Sequence, residues 1–520
     1  MTDKPSSKNS GLSFTLKLCM FATGCAAMVT EYTLATLASY IRGDSIFQFT
    51  AVISLMLFSM GLGSRQSRNL IGNLLDKYVI TEFCLSFFCT LSAIFCYWVS
   101  AYTIYNAVFI YATACVIGFL TGLELPLVAR INEDYESLRV NISSVMEYDY
   151  YGALAGGALF AFVLLPYLGL TYTPILLGAI NLLVAAMILI KFPSMLRWSG
   201  TLKSGCIAIV AIIVLAGVFA KPIILFGEQH KYKDKIVYEK QTRYQKIVIT
   251  QWKDDYWLFL NGSTQFSTYD EERYHEPLVH PALGLVKERQ DILLLGGGDG
   301  LAVREILKYP DVQRITVVDL DPAITELAMT NEIFLNVNEG SLTDPKVRVI
   351  NQDAYKYIRE SKELYDVIIV DLPDPKSVSL SLLYSLGFYK MVNKHLKPFG
   401  AMVTQSTSPL YAPEAFLCIK KTMQDAGFAV VPYQNSIPSM GRWGWNLGIK
   451  QEVMDSATAK DKLLQLTFEN LETSFINRDA MISMTHFGKG LFEREAAILP
   501  NTEFNHILLK YYRKGDWEVY

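Results

Sequence analysis

The sequence offers little that would hold a metal ion, a disulfide framework or a nucleic acid. Its 520 residues contain 47 Lys and Arg against 50 Asp and Glu, and a net charge of −3 favours no polyanionic partner. Of its eight cysteines only Cys418 lies in the second half, which weakly indicates a reducing compartment. No cysteine spacing matches a metal site, so we interpret the thiols as buried side chains. The length predicts two or more domains.

Residues from about 14 to 226 are overwhelmingly apolar, whereas the rest has an ordinary composition. About seven apolar segments approach the roughly 20 residues needed to cross a bilayer. The first is long and has no convincing cleavage site, so it is not interpreted as a signal peptide. We predict an all-α polytopic membrane domain over residues 1–230, with spans near Leu16–Leu37, Phe47–Leu62, Val79–Ser100, Tyr105–Val128, Tyr150–Leu170, Pro174–Phe192 and Cys206–Leu225.

Basic residues collect in alternate loops between these segments, namely Arg65, Arg68, Lys77, Arg130, Arg139, Lys191, Arg197 and Lys203. The positive-inside rule places such loops in the cytoplasm. Seven full spans would then place the C-terminal half outside the cytoplasm. The span count and the orientation therefore stay open at this stage.

Two further features of the apolar half indicate packing or function. Gly152 and Gly156 form a small-xxx-small pair that favours close helix contact. Glu31 and Glu124 lie within apolar segments, where a carboxylate often marks a cation path or site. The alternative is that each acid lies near a span end and pairs locally, and the sequence does not decide between the two.

From residue 231 the pattern changes to short β-rich runs, and Asn261-Gly262 is a strong hairpin-turn signal. We predict a small β-domain over residues 231–285. Residues 286–450 alternate between strand and helix, which predicts a Rossmann-like α/β domain with a mostly parallel sheet. Its expected strands are Ile292–Leu295, Arg314–Val318, Val347–Ile350, Val367–Val370 and Ala401–Thr404. Residues 451–520 are interpreted as a helical extension.

The first of these strands breaks into a glycine loop at Asp291-Ile-Leu-Leu-Leu-Gly-Gly-Gly-Asp-Gly300, as in nucleotide-binding βα turns. Asp319 ends the next strand, where an acid binds ribose hydroxyls. Asp353 ends the following one, where an acid commonly faces an adenine amino group. Ligands bind at the carboxyl ends of strands in such sheets, so these acids predict a nucleoside site.

Asp299, inside the glycine loop, discriminates between nucleoside ligands. A helix N-terminus favours an anion, but this carboxylate repels a pyrophosphate and attracts a cationic tail. Ordinary S-adenosylmethionine carries a carboxylate on that tail, whereas the decarboxylated form carries only an ammonium. The charges therefore favour decarboxylated S-adenosylmethionine as a co-substrate, with no metal and no further cofactor.

Val370-Asp-Leu-Pro-Asp-Pro375 delivers two more acids at a strand end. A primary amine with a pKa of about 10 must lose a proton to attack carbon, and Asp371 can hold the amine and accept that proton. Asp374 precedes Pro375, which keeps its backbone extended and helps to aim the pair. The alternative for Asp371 is a strand-end cap without a catalytic role.

These residues closely resemble the spermidine synthase (polyamine aminopropyltransferase) family, and the apolar half resembles its bacterial membrane-anchored subgroup. The resemblance covers roughly Lys235 to Lys450 and implies a methyltransferase-type fold there. Relatives commonly pair, so it also implies a possible homodimer. The motifs that carry it are Tyr244-Gln245, Leu260-Asn-Gly-Ser-Thr-Gln265, Asp270-Glu-Glu-Arg-Tyr-His-Glu276, Gly296-Gly-Gly-Asp-Gly300, Val318-Asp319, Asp353-Ala354 and Asp371-Leu-Pro-Asp-Pro375.

The resemblance also implies a role for each site residue. Asp371 is implied to be the catalytic proton acceptor. The residues implied to bind the nucleoside co-substrate are Gln245, Asp299, Asp319, Asp353 and Ala354. Those implied to contact the aminopropyl and amine chains are Tyr274, His275, Asp299, Gln265 and Asp374.

Three departures from the family pattern stand out. Lys376-Ser-Val-Ser-Leu380 replaces the usual Gly-Pro-Ala, Asp319 replaces a common Glu, and Ala354 replaces a common Gly. The first of these lines the expected amine pocket and leaves the identity of the acceptor open.

We therefore expect aminopropyl transfer to putrescine or a related diamine, giving spermidine and 5′-methylthioadenosine. The expected location is the inner cell membrane, with the catalytic part in the cytoplasm on substrate grounds alone. One alternative is an S-adenosylmethionine-dependent methyltransferase, which Asp299 disfavours. The other is a membrane polyamine sensor or transporter with a non-catalytic soluble half, which Glu31 and Glu124 favour.

Overall fold

A computed structural model describes residues 10–42, 45–103, 105–133, 135–229 and 231–517. The chain divides into two compact units, an N-terminal unit Met1–Asp234 and a C-terminal unit Lys235–Tyr520. The boundary expected at residue 230 falls on a position outside the described residues, four positions before this division.

Long apolar helices make up the N-terminal unit. They are α1 (Ser10–Arg42), α2 (Ser45–Ser67), α3 (Leu74–Tyr102), α4 (Asn106–Asn132), α5 (Leu138–Leu159), α6 (Gly169–Lys191) and α7 (Ser199–Gln229), with a π-helical segment Phe160–Leu168 between α5 and α6. Counted as continuous helices, six in the described part of the chain are long and apolar enough to cross a membrane.

The difference from the seven spans expected lies in the helical segment Leu138–Lys191, which has 54 residues and contains two of the expected spans. A straight helix of that length would measure about 80 Å, against about 30 Å for a hydrocarbon core. The segment is broken at Gly169, whose φ of 62° lies in the left-handed region. The segment is therefore continuous in its helical hydrogen bonding but forms two helices, α5 and α6, that run in different directions.

The helix directions confirm that this segment turns back on itself. Helices α1, α3 and α5 run one way and α6 runs the other way. The contacts that fix these directions are Gly24–Asp149 and Tyr32–Phe160 (α1 with α5), Thr30–Cys89 and Tyr40–Tyr97 (α1 with α3), and Ser86–Gly178 and Asp76–Trp198 (α3 with α6 and the loop after it). The basic loops consequently share the side on which α1, α3, α5 and α7 begin, and α7 ends on the opposite side.

The glycine pair expected to allow close helix contact does so. A Cβ atom on Gly152 would lie 2.1 Å from the Phe21 carbonyl oxygen, and one on Gly156 would lie 2.5 Å from that of Cys25. Backbone oxygens cannot move aside as flexible side chains can, so both positions of α5 need glycine where it crosses α1.

The two acids that the sequence interpretation singled out in the apolar half are buried. Glu31 is 9% exposed and Glu124 is 2% exposed, and α3 adds two more buried acids, Asp76 and Glu82, which the sequence interpretation overlooked. Both carboxylate oxygens of Glu82 lack a hydrogen-bond partner within the described residues. A cation path along these acids remains a prediction.

The C-terminal unit begins with a four-stranded antiparallel sheet in the order β1 (Lys235–Gln241), β2 (Lys246–Trp252), β3 (Asp255–Leu260) and β4 (Ser263–Ser267). The Asn261-Gly262 turn joins β3 to β4 with φ angles of 50° and 78°. The last part of the β-domain expected over 231–285 is helical, because Glu272–Leu285 forms helix α8. That helix packs into a core that it shares with both sheets, since the core includes Ile249 of β2 and Ile292 of β5.

The larger sheet follows the strand order β10-β11-β9-β8-β5-β6-β7. Its strands are β5 (Asp291–Gly296), β6 (Arg314–Asp319), β7 (Val347–Asn351), β8 (Tyr365–Asp371), β9 (Leu396–Gln405), β10 (Phe428–Ile437) and β11 (Gly441–Lys450). The first five are mutually parallel, and the β10–β11 hairpin, which the sequence interpretation missed, is antiparallel. This is a Rossmann-like, methyltransferase-type sheet.

Helices cover both faces of this sheet. They are α9 (Leu301–Leu307), α10 (Pro322–Thr330), α11 (Glu332–Asn338), α12 (Ala354–Glu360), α13 (Val378–Leu382), α14 (Leu386–His395), α15 (Pro413–Asp425), α16 (Ser456–Leu463), α17 (Arg478–Met484) and α18 (Ile507–Arg513). Neighbouring residues of β5 alternate between two cores, with Leu294 in one and Leu295 in the other. The extension 451–520 is partly helical and contributes Leu508 and Tyr512 to the second core.

Gly152→Ala should lower the free energy of unfolding of the full chain in detergent by about 1–3 kcal/mol, because the new Cβ collides with the backbone of α1. Gly217→Ala in α7 is the matched control, since no atom lies within 4 Å of the Cβ position there. Its better helix propensity should leave the melting temperature unchanged or slightly raised. Equal shifts for the two variants, measured by thermal melting, would contradict the close packing of α1 and α5.

Candidate active site

The candidate site lies where the order of the parallel strands reverses. From β5 the chain adds β6 and β7 on one side and β8 and β9 on the other, and such switch points open a crevice at the carboxyl ends of the strands. Gly296 at the end of β5 pairs with Asp371 at the end of β8. A Cβ on Gly296 would lie 1.9 Å from the Asp371 carbonyl oxygen, so glycine is required for this contact.

Asp371 is held by a tyrosine from α8. Tyr274 Oη donates a 2.6 Å hydrogen bond to Asp371 Oδ1. Burial raises the pKa of Asp371, while the charge of His275 and the bond from Tyr274 oppose the rise. The carboxylate is therefore a stronger base than one in water, and it is kept ionised by its neighbours.

His275, the next residue on α8, supplies the positive charge of the site. It is 1% exposed, and its Nδ1 lies 2.9 Å from Glu271 Oε2. Burial lowers the pKa of His275, but the hydrogen bond and charge of Glu271, with Asp299 and Asp371, outweigh it and raise the pKa to about 9. The imidazole is consequently protonated at neutral pH.

Glu271 was not among the predicted site residues. Arg304 Nη2 of α9 lies 2.7 Å from its Oε1, and the same guanidinium lies 2.8 Å from Glu305 Oε1. Burial raises the pKa of Glu271, but His275 and Arg304 outweigh it and lower the pKa overall. A chain of alternating charges thus leads from His275 into the protein interior.

Asp299 shares the charge environment of His275 and Asp371. Burial raises its pKa, the charge of His275 lowers it and that of Asp371 raises it further. Its Oδ1 accepts a 2.9 Å bond from the Leu301 amide at the start of α9. The carboxylate in the glycine loop is thus fixed at the helix N-terminus, as the sequence interpretation required.

Asp319 binds the same loop from the end of β6. Its Oδ2 accepts from the Gly298 amide at 3.1 Å and its Oδ1 from the Asp321 amide at 3.0 Å. Burial raises the pKa of Asp319 to about 6 against these two bonds. A Cβ on Gly298 would lie 2.6 Å from Asp319 Oδ2, so the loop and the acid fit closely.

Gln245 reaches this corner through an acid that the sequence interpretation did not single out. Its Nε2 donates to Asp321 Oδ2 at 3.1 Å, and Thr242 Oγ1 donates to the same oxygen at 2.7 Å. The small sheet is therefore tied to the loop that follows β6. The residue that Gln245 contacts, Asp321, lies two positions after Asp319 in the sequence.

Asp353 lies at the same edge of the sheet, but its described contact is a helix cap. The exposed carboxylate accepts a 2.8 Å bond from the Lys356 amide at the start of α12. The Gln352 amide donates to the Asp319 carbonyl at 3.0 Å, which holds this turn beside β6. Ala354 is the buried first residue of α12.

The second predicted amine-site acid has partners from distant parts of the chain. Asp374 Oδ1 accepts from Gln405 Nε2 at 3.4 Å and Oδ2 from Tyr512 Oη at 2.9 Å. Burial raises the pKa of Asp374, opposed by Lys376, Tyr512 and Gln405. Tyr384 braces the same turn by donating to the Leu372 carbonyl at 2.8 Å.

The described hydrogen bonds link Gln265 to this turn only through its neighbour Ser263 in β4. Its side-chain amide donates to the carbonyls of Ser263 and Thr264, at 3.1 and 3.3 Å. Lys376, from the segment that departs from the family pattern, donates to Ser263 Oγ at 2.5 Å. Strand β4 therefore meets the loop that follows Asp374.

Of the functional side chains that were missed, Gln405 carried a sequence signal and Tyr512 did not. Gln405 directly follows an expected strand, where ligand contacts concentrate. Tyr512 lies 138 residues beyond Asp374, and no local pattern links them. Taken together, the half-buried carboxylates outnumber the one imidazolium, and the site favours a cationic ligand.

Comparisons with known proteins agree with this chemistry. Residues 271–461 match the family described as "Spermine/spermidine synthase domain". "Polyamine aminopropyltransferase 2" of Aquifex aeolicus is 40% identical over 97% of this chain and 99% of its own length. "Polyamine aminopropyltransferase" of Oceanobacillus iheyensis is 38% identical over 95% of each chain.

Among solved structures, one described as spermidine synthase in complex with the transition-state analogue AdoDATO is similar to part of the chain. It is 23% identical, covers 51% of this chain and 89% of its own, and has a TM-score of 0.46.

The imidazole of His275 should titrate with a midpoint near pH 9 in NMR spectra of the histidine-labelled full chain. Glu271→Gln removes the charge that stabilises the protonated ring, so the midpoint should fall by more than about one unit. Glu272→Gln, at the next position of the chain, is the control and should leave it unchanged. A midpoint near the ordinary histidine value of about 6.5 in both unmutated protein and control would refute the charged pair.

Proposed function

The chain belongs to the polyamine aminopropyltransferase family, and we propose that its C-terminal unit transfers the aminopropyl group of decarboxylated S-adenosylmethionine to putrescine or a closely related diamine. The products are spermidine and 5′-methylthioadenosine. The observation that carries the proposal is the cluster of Asp299, Asp371 and Asp374 beside a nucleoside-type glycine loop. It combines a place for adenosine with a pocket for cations.

The reaction is a direct displacement. The neutral nitrogen of the diamine attacks the methylene carbon bonded to the sulfonium, and the C–S bond breaks as the N–C bond forms. The electron pair of that bond stays on sulfur, and the nitrogen loses its proton to Asp371. A sulfonium is already a good leaving group, so the proposal includes no metal and no further cofactor. Orientation and charge supply most of the catalysis.

The protein residues divide this work. Asp371, oriented by Tyr274, is the proton acceptor, and its raised pKa strengthens it as a base. Protonated His275 keeps Asp371 and Asp299 ionised, so both can face cations at neutral pH. The groups proposed to hold the thioadenosine part are Gln245, Asp319, Asp353 and Ala354, and those proposed for the amine chains are Gln265, Asp299 and Asp374.

The proposal favours the decarboxylated donor over intact S-adenosylmethionine for an electrostatic reason. The carboxylate of the intact donor would approach Asp299, whose burial leaves little water to screen the repulsion. The ammonium of the decarboxylated donor is attracted instead. The same argument disfavours methyl transfer.

We further propose that the chain is an inner-membrane protein with its catalytic unit in the cytoplasm. Both substrates are charged, and a bilayer excludes charged groups. This orientation places the basic loops outside, contrary to the positive-inside rule, because α7 ends on the side opposite to them. We also propose that the chain forms a homodimer and binds no nucleic acid.

Asp371→Asn should lower kcat about 10²- to 10⁴-fold, because a proton acceptor is lost, and should change the KM for the donor little. The measurement is release of 5′-methylthioadenosine from decarboxylated S-adenosylmethionine and putrescine. Asp425→Asn, at the exposed last residue of α15, is the control. The rate should fall as the pH falls through the raised pKa of Asp371, since only the ionised form accepts a proton. Undiminished turnover by the variant, or a methylated product from intact S-adenosylmethionine, would contradict the proposal.

The orientation can be tested with single cysteines at two exposed serines, Ser194 after α6 and Ser483 in α17. A membrane-impermeant maleimide applied to intact cells should label Ser194→Cys and leave Ser483→Cys unlabelled until lysis. Unmutated protein gives the background from the native cysteines. The reverse pattern would place the catalytic unit outside and restore the charge rule.

A further inference from the structure

The C-terminal extension, which lies beyond the matched family domain from residue 462 onward, reaches the proposed amine site through the side chain of Tyr512. Tyr512 in α18 donates a 2.9 Å hydrogen bond to Asp374 Oδ2 across 138 residues of sequence. The family match ends at residue 461, so this contact comes from a segment outside that domain.

Two anchors fix the extension against the segment that follows the Asp374 turn. Asn501 is wholly buried, and its Nδ2 donates to the carbonyls of Ser381 and Tyr384, at 2.7 and 3.2 Å. Glu503 Oε1 accepts from the Gly387 amide at 2.7 Å. The approach of α18 to the site is therefore held by buried polar contacts.

The Tyr512 side chain is itself immobilised. It is 6% exposed, and its ring lies 4.6 Å from that of Trp517. Trp517 Nε1 donates to the Tyr512 carbonyl at 2.9 Å. The hydroxyl is consequently presented to Asp374 from a rigid support, which keeps the ordering cost of the bond small.

We propose that Tyr512 is a positioning residue for the acceptor amine, so that the C-terminal extension sets how tightly the amine is bound. Its hydroxyl holds one oxygen of Asp374, Gln405 holds the other, and the carboxylate is thereby fixed and kept ionised for a substrate ammonium. The inference builds on the aminopropyl transfer proposed above and adds the part of the site that the extension supplies.

The test compares Tyr512→Phe with Tyr511→Phe in the full chain. Phenylalanine keeps the ring that packs on Trp517 and removes only the hydroxyl. Tyr511 is the matched control, because its hydroxyl accepts from the Leu499 amide at 3.3 Å and its side chain lines a separate cavity of about 680 Å³. Melting temperatures of the two variants within about 2 °C of each other verify that the fold is retained.

Tyr512→Phe should raise the KM for putrescine roughly tenfold, the effect of losing a hydrogen bond to a charged group. The kcat and the KM for the donor should stay within about twofold, as should all constants of Tyr511→Phe. A purely structural role would alter the stability and leave this KM unchanged, and that result overturns the inference.

A double-mutant cycle makes the test independent of modest destabilisation. In an Asp374→Asn background, Tyr512→Phe should have no further effect on the KM for putrescine. A full effect in that background would show that Tyr512 does not act through Asp374. If the unmutated chain turned over no amine, the proposed function would fail, whereas normal turnover with an unaffected Tyr512→Phe would refute only this inference.

Discussion

The contact between the end of β5 and the end of β8 is the constraint on which the candidate site depends. Gly296 lies so close to the Asp371 carbonyl that a single methyl group would separate the strands. Because the two ends meet, the carboxylates of Asp299 and Asp371 share one environment. The charge of Asp371 raises the pKa of Asp299, and the charge of the His275 imidazolium lowers the pKa of both carboxyl groups. A looser junction would let water screen these charges and would weaken the preference for cations.

Concentrating acids in this way works against folding, because like charges repel and burial disfavours each of them. Helix α8 supplies the positive charge that offsets this repulsion. His275 brings one positive charge to two carboxylates, and Glu271 stabilises that charge from the other side, itself bonded to Arg304. The result is a site with a net negative charge, in which the charge of His275 acts on both Asp299 and Asp371. These positive charges stabilise the acid cluster when no cationic substrate is bound.

The sequence predicted those features that depend on local pattern and on general rules of topology. The parallel strands are short apolar runs that end in glycine, an acid or an amide residue, and Asp319 and Asp371 were identified because parallel strands end at one edge. The β10–β11 hairpin and helix α8 were missed, since α8 contains Pro277 and Pro281 and lies beside a β-rich stretch. The span count stayed open for a different reason, because seven spans and the positive-inside rule together would place the C-terminal half outside the cytoplasm.

What the sequence could not predict is contact between distant segments, and the extension shows why. Asn501 has no recognisable motif, yet it is wholly buried and its backbone oxygen accepts from the Leu386 amide at 2.8 Å. Burying a polar side chain without partners would be costly, so its bonds to Ser381 and Tyr384 mean that residues after 461 fold as part of the catalytic core. The extension therefore contributes to the second core of the sheet and also contacts Asp374. The matched family domain, residues 271–461, contains Asp374 but not its partner Tyr512.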